Sequence, residues 1–179
     1  QVDVWQDGNQ NLAQFTVAGE GLNVEIYQTG DGNSATNNTN GLNNILAVSQ
    51  NGDDNIAMTD ISGGDNIVII EQSGLANDVL ITSDLDVAGN QLILQQQGDL
   101  NLVDVIVSGN SNSMDILQAG NGNWVAGEDG FFALSGDNGM VAVMQQGNDN
   151  LVLASQAGEG NMMSVTQVGD FNTATVIQN

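Results

Sequence analysis

The stretch QNGDDNIAMTDISGGDN, Gln50 to Asn66, sets Gly52 and Gly63 11 residues apart, each followed three residues later by an asparagine, Asn55 and Asn66. The same spacing recurs along the chain. Gly8, Gly19, Gly30, Gly41, Gly52, Gly63 and Gly74 follow one another at 11 residues, and Gly89, Gly98, Gly109, Gly120, Gly136, Gly147, Gly158 and Gly169 follow at spacings of 15, 9, 11, 11, 16, 11, 11 and 11. The register is disturbed twice and recovered each time, as expected of stacked units that must stay aligned.

The glycines alternate in kind. A glutamine two residues earlier marks every second one, at Gln6, Gln28, Gln50, Gln72, Gln96, Gln118, Gln145 and Gln167, so the full repeat is about 22 residues. After each of these glycines an asparagine stands three positions on, at Asn11, Asn33, Asn55, Asn77, Asn101, Asn123, Asn150 and Asn172. The intervening arcs are looser: Asn44, Asn66, Asn112 and Asn161 occupy the matching place, whereas Leu22, Leu92 and Gly139 do so elsewhere.

Between the glycines lie short runs rich in Val, Ile, Leu, Ala and Thr, the length and chemistry of strands. Alternate residues counted from each asparagine, such as Asn44, Leu46, Val48, Gln50 and Asn66, Val68, Ile70, Gln72, are the expected inward positions. The prediction is an all-β solenoid, one domain over residues 1–179, with about eight turns of strand, arc, strand, arc, two parallel sheets and a length of roughly 38 Å. Arc glycines answer the need for positive φ where the chain reverses. The Gln and Asn columns are expected to form self-assembly ladders, each amide bonding to its copy one turn away.

The charge is one-sided. The 179 residues include 22 Asp and Glu but no Lys, Arg, His, Cys or Pro, for a net charge of −22. Such a field repels nucleic acid and anionic lipid and attracts cations or basic partners. Abundant Gly, Asn and Gln with high acidity would suit a disordered chain, but the periodicity argues against that. Without His, Cys or Lys there is no ordinary base to activate a serine and no nucleophilic lysine or cysteine, and carboxylates such as Asp53 with Asp54 or Glu128 with Asp129 read as solvated arc residues. No enzyme activity, cofactor or specific metal is expected. GGDN at Gly63 to Asn66 resembles part of a calcium-binding β-roll repeat, but it occurs once and at the wrong period.

The pattern Q-x-G-x-x-N-x-A/V-x-x-x-Q, complete as QQGNDNLVLASQ (Gln145 to Gln156) and QVGDFNTATVIQ (Gln167 to Gln178), resembles the curlin repeat of curli subunits. The resemblance spans nearly the whole chain. It departs where the second Gln is replaced by Val17, Thr39, Ile61, Val107 and Leu134, and in lacking basic residues. What it implies is a bacterial, cell-surface, extracellular structural subunit of a functional amyloid fibre, serving biofilm matrix and adhesion. The implied partners are other copies of the chain, a nucleator subunit and an outer-membrane export channel, with no nucleic acid bound and no membrane insertion. The family carries an export-directing segment before its first repeat, whereas here VDVWQDGNQN begins a repeat at once, so that segment is expected to be trimmed, disordered or absent.

The alternative is a monomeric, capped β-solenoid acting as an adhesin or cation-binding module. Absence of an obvious cap at Val2 or Gln178 favours the fibre reading. The register breaks, in DVLITSDLDVA after Asn77 with four extra residues and in GEDGF at Gly127 to Phe131 with five, are expected as bulged arcs. An outward column of Ile45, Ile67, Ile93, Met140 and Met162, interrupted by Asn23 and Ser113, is expected to favour lateral contact between filaments.

Overall fold

The computed structural model describes residues 1–83, 87–127 and 129–179. Its strands form two parallel sheets that face each other across a narrow core. The first, here the glutamine sheet, stacks Val2–Asp7, Asn23–Thr29, Ile45–Asp53, Ile67–Leu75, Gln91–Gln97, Ser113–Ala119, Met140–Gln146 and Met162–Val168 in that order. The opposite sheet stacks Leu12–Glu20, Ser34–Leu42, Ile56–Gly64, Asp78–Ser83 and Leu102–Ser108, then a rung split into Trp124–Ala126 and Phe132–Ser135, then Leu151–Gln156 and Thr173–Gln178. The chain therefore winds through about eight turns of a β-solenoid about 22 residues apart.

Period-two alternation places the predicted inward residues in the core. Leu46, Val48, Val68, Ile70, Val103, Val105 and Val152 are all buried, while their neighbours along each strand face outward. β-branched side chains suit this interior because a stiff χ1 loses little freedom when stacked against the same residue type above and below. At the two end turns the inward residues are less covered, from exposed Val2, Val4 and Phe15 at one end to half-buried Ala174 and Val176 at the other.

Each arc turns sharply. At Gly52 φ is +125°, and a Cβ there would lie 2.1 Å from the carbonyl oxygen of Gly74 in the next turn. Stacked arcs of this shape thus exclude a side chain on two grounds, conformation and space.

The first register break differs from the expectation. Pairing of Ile67 with Gln91 gives an offset of 24 against 22 in the turn before, so the ladder absorbs two residues in one step. Val87, not Gly89, then takes the arc position above Gly63, for a Cβ on Gly63 would meet the Val87 carbonyl at 1.7 Å. Gly89 instead precedes Asn90 with φ +68°, and Asn90, not Leu92, occupies the asparagine column. Part of this break, residues 84–86, lies outside the described residues.

The second break is not an arc at all. Val103 pairs with Val125 and Val105 with Phe132, so the rung is interrupted between Ala126 and Phe132 and takes up its extra residues in the middle. A mid-strand interruption is tolerated because the rungs on either side, Leu102–Ser108 and Leu151–Gln156, bridge to both halves. Glu128, the sequence neighbour of Asp129, lies outside the described residues. Register also corrects the outward column: Ile45 and Ile67 continue into Gln91, then Ser113, Met140 and Met162, while Ile93 sits one column over beside Ile69.

Gly52→Ala is expected to lower unfolding free energy by about 2 kcal/mol or more, from forced positive φ combined with the clash against Gly74. Denaturant unfolding would show it as a lower midpoint, whereas Ala at exposed Gly130, where an added Cβ would meet nothing within 4 Å, should cost less.

Candidate functional site: the amide ladders

The glutamines of the first sheet are buried from Gln28 to Gln167 and joined without interruption. Gln6 Nε2 donates to Gln28 Oε1 at 2.6 Å, and the same bond runs on through Gln50, Gln72, Gln96, Gln118 and Gln145 to Gln167 at 2.7–3.0 Å. Each step points the same way, from a turn to the next turn C-terminal to it. The second amide hydrogen is used as well. Gln28 Nε2 donates to Leu12 O, Gln50 Nε2 to Ser34 O and Gln118 Nε2 to Leu102 O, so the column also ties the two sheets together.

The strict asparagine column runs in the opposite sense. Asn33 Nδ2 donates back to Asn11 Oδ1, Asn55 to Asn33, Asn77 to Asn55, and so on to Asn172 onto Asn150, at 2.9–3.2 Å. The backbone N–H of each asparagine joins the same oxygen, as Asn55 N does on Asn33 Oδ1 at 3.1 Å. Nδ2 also reaches forward to the arc glycine of the following turn, for example Asn33 to Gly52 O at 2.7 Å. Thus the ladder secures the same carbonyls that the glycines allow to approach.

The looser arc has a shorter column. Asn66 donates to Asn44 and Asn90 to Asn66, and Asn112 N donates to Asn90 Oδ1. It ends at Gly139, whose N–H still donates to Asn112 Oδ1 at 2.7 Å. The second Gln column survives only as Gln156 Nε2 to Gln178 Oε1 at 3.1 Å. Gln156 Oε1 is buried without a partner among the described residues because Leu134, in the turn before, has no amide to offer.

A further ladder escaped the sequence reading. In the strict arc, the residue after the glycine accepts a backbone N–H from the turn before: Asn9 N donates to Asp31 Oδ1 at 2.7 Å, Asp31 N to Asp53 Oδ1 at 2.8 Å, Leu75 N to Asp99 Oδ1 at 3.0 Å, and Asn148 N to Asp170 Oδ1 at 2.7 Å. Its signal was present in the sequence as Asp or Asn directly after Gly8, Gly30, Gly52, Gly98, Gly120, Gly147 and Gly169. These arc carboxylates are structural acceptors as well as solvated charges.

Two aspartates stand apart from the arcs. Asp78 lies on the outer face of the opposite sheet in register with Ile56 and Leu102, and Asp104 in register with Leu80. Burial pushes the Asp78 carboxyl up from its ordinary 3.8, and burial followed by the Asp78 charge pushes Asp104 up as well. No group of three or more metal-ligating side chains occurs among the described residues.

A two-sheet parallel solenoid bound internally by amide columns defines the class. Within that class, residues 136–169 match the family model described as the curlin associated repeat. The turns outside that stretch carry the same Gln and Asn columns without a gap. Comparison with curated proteins finds no match.

Two outcomes test these assignments. Gln72→Leu strands the donor of Gln50 and the acceptor of Gln96, and frees the Ile56 and Asn77 carbonyls. It should destabilise the fold by about 2–4 kcal/mol in denaturant unfolding, while Gln6→Leu at the exposed end costs far less. For Asp78 and Asp104 the folded state holds protons more tightly than the unfolded chain. Their ionisation is therefore a cost at neutral pH, relieved as pH falls through the raised values toward the ordinary 3.8. Asp78→Asn should raise the unfolding midpoint at neutral pH and flatten that part of the pH profile.

Proposed function

We propose that the chain is a structural subunit of an extracellular fibre, adding to copies of itself head to tail. The observation that carries this reading is the polarity of the two strict columns at the end turns. At the N-terminal end Gln6 presents Oε1 as an acceptor, and Asn11 presents backbone and side-chain N–H groups; at the C-terminal end Gln167 presents Nε2 as a donor and Asn172 presents Oδ1. Stacked head to tail, donor meets acceptor in both columns. Stacked head to head, Gln6 would set oxygen against oxygen.

The backbone matches in the same sense. Val24 N donates to Gln1 O and Gly30 N to Asp7 O, so the odd-numbered residues of Val2–Asp7 face the second turn. Val2, Val4 and Gln6 then direct their N–H and C=O groups to the open edge, a template for another strand. At the other end, Leu151 N on Asn172 O leaves Thr173, Thr175 and Ile177 facing outward. A biofilm-matrix and adhesive setting, a nucleator subunit and an outer-membrane export channel are carried over from the curlin-repeat family. No helix among the described residues is long and apolar enough to cross a membrane.

Val4→Pro tests the junction because it deletes an N–H directed at the open edge, not one spent inside the fold. The variant should keep a native unfolding transition yet elongate at least about tenfold more slowly, and in small amounts it should cap wild-type fibres. Filaments in electron micrographs growing at the wild-type rate would overturn head-to-tail stacking. Monodisperse wild-type particles would instead favour the monomeric solenoid.

A further inference from the structure

The outer face of the glutamine sheet carries a depression of about 460 Å³ near its N-terminal end. Its origin is a sequence of side-chain sizes along two neighbouring columns. One column reads Trp5, Tyr27, Ser49, Glu71 and the other Asp3, Glu25, Ala47, Ile69. Small residues at the third rung, Ala47 and Ser49, leave a slot between larger ones on the second and fourth.

Tyr27 forms one wall. It stacks on Trp5 with ring centroids 4.2 Å apart and planes 11° apart, so one ring face is occupied and the other looks across Ser49 toward Glu71. Two rungs of a parallel sheet span about 9.6 Å. That leaves space beside the ring for one planar group about 3.5 Å thick. Both carboxylates bordering the slot are held in place from behind: Asn23 Nδ2 donates to Glu25 Oε1 at 3.0 Å, and Gln95 Nε2 donates to Glu71 Oε2 at 2.8 Å. Each retains an oxygen for another donor.

A π-face between two positioned carboxylates, over a floor of small side chains, is complementary to a planar cation. The chain contains no Lys, Arg or His, so neither its own side chains nor those of a second copy can supply one. We infer that the Tyr27 slot receives an arginine side chain from a basic partner protein, its guanidinium stacked on Tyr27 between Glu25 and Glu71 and its aliphatic stem lying along Ala47 and Ile69. Arginine suits the slot better than lysine because the guanidinium is flat, weakly hydrated and able to bond two carboxylates at once. Nothing in this inference depends on fibre assembly.

The test uses the full chain with Trp124→Phe, so that Trp5 is the sole indole reporter, and short alternating arginine–glycine, lysine–glycine and citrulline–glycine peptides at physiological salt. The arginine peptide should change Trp5 fluorescence and bind about fivefold more tightly than the lysine peptide, and the uncharged citrulline peptide should not bind. Tyr27→Leu should weaken arginine binding about two- to fivefold, the size of an exposed cation–π contact. Ser49→Leu fills the slot while keeping every charge and both rings, and should abolish the preference for arginine. Glu71→Gln should weaken binding more than Asp115→Asn, a carboxylate on the same face away from the slot. Equal affinity for arginine and lysine peptides, or an arginine preference that survives Ser49→Leu, would reduce the effect to general attraction by a chain of −22 and overturn the site.

Discussion

A buried primary amide has two donors and an acceptor to satisfy, and in a core only two sheets thick its partners must come from the turns directly above and below. This requirement organises the molecule. Gln72 accepts from Gln50, donates to Gln96 and also bonds the Ile56 carbonyl of the other sheet, so a shift in register by one residue would strand all of these groups together. Both insertions respect the constraint. The Gln column passes without a gap from Gln72 to Gln96 and from Gln118 to Gln145, across offsets of 24 and 27 residues. Both breaks fall in the opposite sheet, where the equivalent column has become Ile61, Val107 and Leu134 and apolar packing asks for no directional bond.

That asymmetry explains which parts of the structure were legible in the sequence. Fold, turn number and inward parity follow from glycine spacing and alternation, because residues such as Gln50 and Asn55 have one geometrical solution once they recur every 22 positions. The errors fall where the column weakens. At Gly89 the spacing counts glycines, while the structure aligns asparagines: Asn90 keeps its bond to Asn66, and Val87 takes the glycine's place. Ile93 falls in a different outward column from the expected one for the same reason. The GEDGF insertion reads as an arc, since arcs are where extra residues usually go, yet a strand whose neighbours bridge both halves can release a loop from its middle. Counting cannot distinguish those cases, because both give the same offset between Gly120 and Gly147.

Charge is arranged around the columns rather than within them. The described core residues are apolar, amide-bearing or, at Thr39, Thr59 and Ser62, hydroxyl-bearing, and the described acidic groups lie in arcs or on outer faces. In the arcs, Asp31, Asp53, Asp99 and Asp170 accept backbone N–H groups, so part of each charge is stabilised by the stacking that brings it near its neighbours. Asp78 and Asp104 lack this support and sit among Ile56, Leu80 and Leu102. The solenoid thus tolerates a large negative charge where a backbone donor answers it, and bears a cost where an outer face does not.

The opposed directions of the Gln and Asn columns have a consequence for any surface that ends them. Were both columns to run the same way, one end of the solenoid would hold only donors and the other only acceptors, and either column could meet either. With the columns opposed, each end carries one of each at fixed positions: Gln6 Oε1 beside Asn11 N–H at one end, and Gln167 Nε2 beside Asn172 Oδ1 at the other. A neighbour rotated so that its Asn column lay over the Gln column would then place donor against donor and acceptor against acceptor. In a core of this width such mismatches are desolvated and costly. Two antiparallel amide ladders therefore specify both the direction and the rotation of an added turn, using the same bonds that set the spacing of the turns within one chain.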